Sequence, residues 1–237
     1  AARLARNGLK TVYVSGEEAT AQIQDRARRL KVADSPVQLA TETDLRKVLS
    51  ALKTAKPDFV VIDSIQTMWL DTVDSAPGSV SQVRAAAHEL TTFAKRKGVS
   101  IVLVGHVTKE GSLAGPKVLE HMIDCSILLE GSDDSRFRTL RGQKNRFGAV
   151  NELGIFAMTD GGMREVKNPS AIFLDRSDEP ASGSAVMVVW EGTRPLLVEI
   201  QALVDDSQLG NPRRVAVGLE QNRLAMLLAV LHRHGGL

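Results

Sequence analysis

The sequence predicts an α/β fold in which a mostly parallel β-sheet is covered by helices on both faces. Two observations support this prediction. Through the first two thirds of the chain, short apolar segments alternate with amphipathic segments of helical period. The apolar segments are also solid rather than alternating, which is typical of strands that are buried on both faces. Ligands of such sheets bind where the strands end, so we expect functional residues directly after each strand.

The individual helices and strands are predicted from apolar runs, from helical periodicity and from glycines that end a helix or strand. Ala1 to Asn7 is predicted to end a helix, with Gly8 as the residue beyond it. The further helices are expected at 18–30, at 45–52 and at 80–97, where Gly98 ends the last of them. The strands are expected at 9–14, 36–39, 58–63 and 99–104.

The pattern changes after residue 124. Strand-like segments at 125–129, 137–140 and 154–158, with a hairpin turn at 159–162, are expected to extend the sheet as antiparallel strands. The polar stretch 176–184 contains proline and glycine and is predicted to be a linker. It separates a first domain (1–175) from a second (185–237), for which two strands and a helix are expected.

Composition limits the classes of function. The formal net charge is +2, so any contact with nucleic acid must come from local patches. A single cysteine, Cys125, excludes an internal disulfide and a four-cysteine zinc site, and its apolar surroundings predict a buried thiol. Without a signal peptide or an apolar run of about 20 residues, the chain is expected to be cytoplasmic and to contact no membrane.

Two predicted strands end in acidic residues. Glu17 and Glu18 follow the first strand, where a glutamate can orient a water for attack on a phosphoryl group. The alternative is structural: both would favour the first turn of the next helix through its dipole. Asp63 and Ser64 end a run of four apolar residues, as in a Walker B segment whose carboxylate binds Mg²⁺ directly or through water. Many α/β proteins end a strand with aspartate, so a structural role stays open.

Basic and imidazole side chains lie further along the chain. His106 and Lys109 follow the strand at 99–104, where a polar group could contact a terminal phosphate, although a loop histidine and a solvated lysine are the alternatives. Lys144 and Arg146 are two residues apart, so on an extended segment they point the same way and suit a polyanion.

A phosphate-binding loop of the form Gly-x-x-x-x-Gly-Lys-Ser/Thr is absent from the sequence. The nearest segment, Gly111 to Lys117, has the wrong spacing, and Pro116 removes an amide donor that such a loop needs. We therefore expect the first strand of the fold and its P-loop to be missing from this chain.

Taken together, four segments resemble the RadA/Sms family of bacterial DNA repair proteins. They are Tyr13 to Glu18, Val60 to Thr67, Val104 to Gly111 and Lys144 to Gly148, and their order and spacing agree with the family. Glu191 to Glu199 also resembles the opening of that family's Lon-protease-like domain, here as a partial α+β domain. No Ser/Lys dyad signature is present, so peptidase activity is not expected.

The resemblance implies a RecA-like P-loop NTPase core that uses ATP and Mg²⁺. Such proteins form a hexameric homo-oligomer on single-stranded and branched DNA, and promote branch migration or unwinding in recombination beside the RecA recombinase. Glu17 matches the glutamate that activates water, Asp63 with Ser64 matches the Walker B segment, and His106 matches a γ-phosphate sensor. Lys144 and Arg146 match a motif that reaches the ATP of the neighbouring subunit.

The resemblance also implies a DNA-binding surface. Met68 to Ser79 and Lys109 to Lys117 are similar to the two loops that face the channel of the ring, and Arg84 lies just beyond the first loop. Lys109, Lys117 and Arg84 are therefore the expected phosphate contacts. Family members also carry an N-terminal zinc motif of four cysteines, which this chain lacks.

Two alternatives remain open. A DnaB-type replicative helicase shares a Lys-x-Arg-x-Gly finger, but Phe147, the Gly16-Glu17-Glu18 segment and the Lon-like tail argue against it. A non-catalytic DNA-binding scaffold that has lost its P-loop is the second alternative. The chain alone is expected to be inactive in ATP hydrolysis, and the enzymatic prediction concerns the protein that contains it.

Overall fold

A parallel four-stranded sheet forms the centre of the protein. The structure, a computed structural model, describes residues 1–106, 119–131, 136–150, 152–174, 182–206, 214–218 and 220–236. The sheet has the order β2-β1-β3-β4, and every neighbouring pair is parallel. Its strands are β1 (Thr11–Ser15), β2 (Gln38–Thr41), β3 (Phe59–Asp63) and β4 (Ser100–Val104). The helices are α1 (Ala2–Arg6), α2 (Thr20–Arg29), α3 (Leu45–Ala55) and α4 (Val80–Lys97).

The main core lies between one face of this sheet and helices α3 and α4. Alternation along the strands turns Val12 and Val14 of β1 and Val60 and Ile62 of β3 to that face, where all four are buried. The helices contribute a buried apolar stripe that includes Leu45, Val48 and Leu52 from α3 and Val83, Ala86 and Leu90 from α4. This packing holds β1, β3 and β4 in register, and their ends therefore meet at one edge.

Capping residues set the limits of the two core helices. The Asp44 side chain accepts a hydrogen bond from the Arg46 amide at the start of α3, and Ser79 does the same for Gln82 in α4. Gly98 ends α4 with a φ of 65°, a left-handed conformation that glycine adopts without a steric penalty. Helix α4 thus ends at the residue that its sequence predicts.

The prediction of an antiparallel extension of the parallel sheet is wrong. Strands β5 (Cys125–Glu130), β6 (Phe137–Asn145), β7 (Leu153–Thr159) and β8 (Gly162–Glu165) form a separate antiparallel sheet in sequential order. Short connections let each strand pair with its neighbour in sequence. These four strands therefore form their own sheet, and none of them pairs with β4. The buried thiol is also a wrong prediction, because Cys125 lies at an exposed position on β5, the edge strand of this sheet.

A two-stranded hairpin and a helix follow. The hairpin pairs β9 (Ser184–Glu191) with β10 (Arg194–Gln201), and the remaining helices are α5 (Ser170–Phe173) and α6 (Gln221–His234). The Leu197 amide donates to the Ser170 hydroxyl at 3.1 Å, so the hairpin touches the chain before the expected linker. Most of that linker lies outside the described residues, and Ser184 already belongs to β9. The division into domains 1–175 and 185–237 stays a prediction.

Candidate active site

Residues that follow three neighbouring strands converge on one carboxylate oxygen. The Ser64 hydroxyl, directly after β3, donates a hydrogen bond to Oε1 of Glu17 at 2.5 Å. Nε2 of His106, beyond the end of β4, lies 3.0 Å from the same oxygen. The sequence predicts Glu17, Ser64 and His106 as site residues from separate segments, and the parallel topology brings them together.

A close backbone approach at Gly16 makes this convergence possible. The Gly16 amide donates to the Asp63 carbonyl at 2.8 Å, which extends the β1–β3 pairing beyond the strand ends. A Cβ at position 16 would lie 1.9 Å from Oγ1 of Thr67. Thr67, in the short 3-10 turn Ile65–Thr67, in turn donates to the Ser64 carbonyl at 2.8 Å. Only glycine fits between the strand end and this turn.

The environment of Glu17 favours its charged form. The hydrogen bond from Ser64 is the largest cause that lowers the pKa of Glu17, and His106 lowers it further, while burial acts in the opposite direction. The Glu17 side chain remains 39% exposed. A carboxylate that is ionised, held by two neighbours and open to solvent can accept a proton from a water molecule.

The Asp63 side chain, at the end of β3, is held by a residue from the interior of the neighbouring strand β1. The Tyr13 hydroxyl, on β1, donates a hydrogen bond to Oδ2 of Asp63. Burial is the first cause and the Asp63 contact the second cause of a pKa for Tyr13 that lies far above its usual value. Tyr13 therefore stays a neutral donor.

One oxygen of Asp63 is left for a ligand. Oδ1 has no hydrogen-bond partner among the described residues, whereas Oδ2 is occupied by Tyr13. Mg²⁺ usually binds proteins through one or two carboxylates and keeps several waters. An oriented aspartate with a free oxygen at the sheet edge therefore fits that ion. The peptide bond between Asp63 and Ser64 is cis.

The adjacent glutamate has a different environment. Glu18 forms an ion pair with Arg26 of α2, and its amide donates to the Ser15 hydroxyl at 2.9 Å. Its carboxylate is thereby paired with a side chain of the helix that follows, and it does not lie in the first turn of that helix, where the dipole interpretation would place it. The structure thus distinguishes two neighbouring glutamates that the sequence leaves equivalent.

The two candidate finger residues lie away from this cluster. Arg146 forms an ion pair with Asp124 at 2.7 Å, and the Lys144 ammonium donates to the Glu120 carbonyl. Both side chains therefore turn to the same side, toward the segment that precedes β5, as their spacing predicts. Within the described part of the same chain, neither side chain forms a hydrogen bond or ion pair with Glu17, Asp63 or His106.

The expected DNA contacts are only partly visible. Lys109 and Lys117 lie outside the described residues, and Arg84 is exposed on α4. The segment 68–79 contains two aspartates and no lysine or arginine. Its Asp71 is paired with Arg46. The charge of this segment does not favour contact with phosphate.

Gln82, which was not predicted as a functional residue, holds the segment 68–79 in place. Its amide accepts from Leu70 N at 2.9 Å and donates to the carbonyls of Leu70, Val73 and Ser75 at 3.0, 3.0 and 3.1 Å. Gln82 is 1% exposed, so these bonds lie in the interior. The sequence does contain a sign of this role, because Gln82 is a polar residue on the apolar face of α4, one turn before Ala86. Tyr13, a polar aromatic inside a buried strand, was a similar signal.

Known proteins with similar sequences or folds show to which family the chain belongs. A family model described as an AAA domain matches residues 2–112. DNA repair protein RadA of Salmonella typhimurium is 66% identical over 229 residues, which are 97% of this chain and 50% of that protein. DNA repair protein RadA of Bacillus subtilis is 49% identical over 236 residues, which are 100% of this chain and 52% of that protein.

The chain belongs to the RadA family. It spans about half the length of the curated RadA proteins that it matches. Two solved structures with low sequence identity share its fold. One, an ATPase domain, is 13% identical with a TM-score of 0.59, over 70% of this chain and 78% of that one. The other, a KaiC-like protein of Pyrococcus horikoshii OT3, is 17% identical with a TM-score of 0.53, over 68% and 76%. The α/β domain of this RadA family member therefore resembles RecA-like ATPase domains in its fold.

The part of this family member that the structure describes contains no helix long and apolar enough to cross a membrane.

Proposed function

We propose that this RadA family member contributes the water-activating and metal-binding residues of a DNA-dependent ATPase in recombinational DNA repair. The observation that carries the proposal is the Glu17 carboxylate, held by Ser64 and His106 beside Asp63. The RadA relatives are described as DNA repair proteins, which supports the biological role. A protein that repairs bacterial DNA works in the cytoplasm.

Each residue of the cluster has a role in this proposal. Glu17 accepts a proton from the attacking water, and Ser64 orients the carboxylate through Oε1. His106 contacts the same oxygen at 3.0 Å, so a γ-phosphate that displaced or attracted His106 would change the position of Glu17. Asp63 would hold Mg²⁺ through Oδ1, with waters completing the shell. The ion, when bound, neutralises charge on the phosphates.

The phosphate cradle is not among the residues of this chain. The sequence has no P-loop match, and the RadA relatives are about twice as long as the chain. We assign the cradle to the rest of the full-length protein. The chain then supplies the residues that activate the attacking water and hold the metal ion.

Lys144 and Arg146 would complete the site from a neighbouring subunit of a hexameric ring. In the single chain their charges are engaged by Glu120 and Asp124. The Arg146–Asp124 pair is about half exposed on both sides, so breaking it costs little, on the order of 1 kcal/mol or less. Binding to a triphosphate across the subunit boundary would offset that cost.

The remaining partners are proposed from the resemblance to the family. Single-stranded and branched DNA would lie in the channel of the ring, where Arg84, Lys109 and Lys117 contact phosphate, and the motor would drive branch migration beside RecA. The hairpin of β9 and β10 with α6 would begin a Lon-protease-like domain with a structural role.

Two aspartates at opposite ends of β3 provide a test. In the full-length protein, Asp63→Asn should reduce ATP turnover at least about a hundredfold, both with and without single-stranded DNA. Asp58→Asn is the matched control, because Asp58 precedes the same strand and, among the described residues, its side chain accepts a bond from the Lys10 amide alone. Equal turnover in the two variants, or no ATP hydrolysis by the unmodified protein, would favour the non-catalytic scaffold.

A further inference from the structure

The edge of the parallel sheet opposite the candidate active site carries a dense set of positive charges. Strands β1 to β4 all begin at this edge, called here the amino edge, and helices α1 to α4 all end there. The last turn of α2 and the residue beyond Leu30 contribute Arg28, Arg29 and Lys31. The last turn of α4 contributes Lys95, Arg96 and Lys97, and all six are exposed.

Other elements add to the same edge. Lys53 and Lys56 lie at the end of α3, and Lys10 precedes β1; all three are exposed. The backbone contacts place these element ends side by side: Asp58 N donates to the Lys10 carbonyl at 2.9 Å, and Ser100 N to the Asp58 carbonyl at 3.1 Å. The cations therefore surround one edge from both faces of the sheet.

Cations outnumber carboxylates at this edge, where Asp58 accepts from the Lys10 amide and Asp34 pairs with Arg6 at the end of α1. Of the nine exposed cations named above, Arg28 alone forms an ion pair among the described residues. Its Nη1 lies 2.7 Å from Oδ1 of Asp25. The opposite edge is more acidic: Glu17, Glu42, Asp44, Asp63 and Asp71 lie there, and the cations Arg46 and Lys47 at the start of α3 pair with three of them. The domain is thus electrically polar, although the chain as a whole has a formal charge of only +2.

Helix dipoles explain part of this pattern but not its extent. A cation in the last turn stabilises a helix by a few tenths of a kcal/mol to about 1 kcal/mol. Three consecutive cations at Lys95–Lys97 exceed what one helix end needs. Lys10, Lys31 and Lys56 lie outside the helices, and the left-handed conformations of Lys31 and Lys56 mark them as turn residues.

The size of this surface and its lack of exposed aromatic side chains among the described residues favour duplex DNA over a small phosphate ligand or single-stranded DNA. Four strands about 4.8 Å apart with a helix layer on each face span far more than one phosphate group. Duplex DNA presents a charge about every 1.7 Å along its axis, so it offers phosphates to many cations at once. Binding to single strands generally uses exposed aromatic side chains for stacking. At this edge Phe93 is buried and Phe59 only partly exposed.

We propose that the amino edge of the parallel sheet, formed by the ends of α2, α3 and α4, binds the phosphate backbone of duplex DNA. This surface lies at the edge of the sheet opposite the candidate active site. It would let the protein hold a duplex arm of a branched substrate while single-stranded DNA occupies the channel. Binding needs no nucleotide, so the proposal stands or falls independently of ATP hydrolysis.

The test compares two variants of the full-length protein that each lose three charges. The edge variant carries Arg29→Gln, Lys53→Gln and Lys97→Gln, one from each helix end. The control variant carries Lys47→Gln at the start of α3 and Arg223→Gln and Arg233→Gln on α6, which are exposed residues outside the ends of α2, α3 and α4. Fluorescence anisotropy measures binding to a duplex of about 30 base pairs across a salt series without nucleotide.

We expect the edge variant to bind at least about tenfold more weakly at about 50 mM salt, with a logarithmic salt slope reduced by about 2 to 3. The control variant should stay within about twofold of the unmodified protein. Circular dichroism melting checks that both variants are folded. Equal duplex binding by the two variants overturns the proposal, and would point to an acidic protein as the partner of this surface.

Discussion

Tyr13 and Asp63 are joined by a hydrogen bond that runs from the interior of β1 to the end of β3. The two strands pair in parallel with Ser15 opposite Asp63, so the tyrosine reaches diagonally across the sheet to the carboxylate. This contact occupies one oxygen of Asp63 and leaves the other available to a ligand. The orientation of the candidate metal ligand thus depends on a residue inside the sheet.

Tyr13→Phe tests this dependence. Loss of the hydroxyl should lower the free energy of unfolding by about 1–2 kcal/mol, because the bond is made to a charged group. In the full-length protein the Mg²⁺ concentration for half-maximal ATP turnover should rise severalfold, since Asp63 is no longer held. Thr11→Val removes another hydroxyl from the same face of β1 and should leave the Mg²⁺ dependence unchanged. An unaltered Mg²⁺ requirement in Tyr13→Phe would contradict the positioning role.

Gly16→Ala tests the close approach at the end of β1. The new Cβ would lie 1.9 Å from Oγ1 and 2.6 Å from Cβ of Thr67, so the turn after Ser64 must move. We expect a loss of about 1–3 kcal/mol in stability and at least about a tenfold loss of ATP turnover. Gly161→Ala is the matched control, because the nearest atom to its added Cβ is 3.9 Å away. Equal melting temperatures for the two variants would show that residue 16 tolerates a side chain.

Ser64→Ala tests the cause of the lowered pKa of Glu17. A base works in its ionised form, so turnover falls as the pH drops through the Glu17 pKa, which Ser64 holds below its usual value. Removing the largest cause of that shift raises the pKa, and the acid limb of the turnover profile should move to higher pH. The pH dependence of ATP turnover measures this, with Ser81→Ala, an exposed serine of α4, as control. An acid limb at the same pH in both variants would rule out this electrostatic role of Ser64.

The ends of the parallel strands were predictable from the sequence, and the reason is geometric. Solid apolar segments separated by helices require parallel strands, and parallel strands end at one edge. Glu17, Asp63, Ser64 and His106 each follow or end such a segment, so the sequence alone suffices to group them. Their roles in catalysis stay predictions.

Other features depend on contacts that local sequence does not encode. The separate antiparallel sheet arises because β5 pairs with β6 and not with β4, and apolar periodicity carries no information about pairing partners. The Tyr13–Asp63 bond and the Gln82 contacts join residues that are distant in sequence or hidden in apolar patterns. The engagement of Arg146 by Asp124 likewise required the fold, since nothing at position 124 marks it as a partner.

The comparison of Glu17→Gln with Glu18→Gln in the full-length protein tests the central claim most directly. Only the carboxylate of Glu17 contacts Ser64 and His106, whereas Glu18 pairs with Arg26. Steady-state ATP hydrolysis should fall by about 100-fold or more in Glu17→Gln, because a positioned general base contributes roughly 10² to 10⁴ to the rate. ATP binding should persist, and Glu18→Gln should keep most of the turnover. Near-normal hydrolysis by Glu17→Gln would contradict the assignment of Glu17 as the residue that activates water.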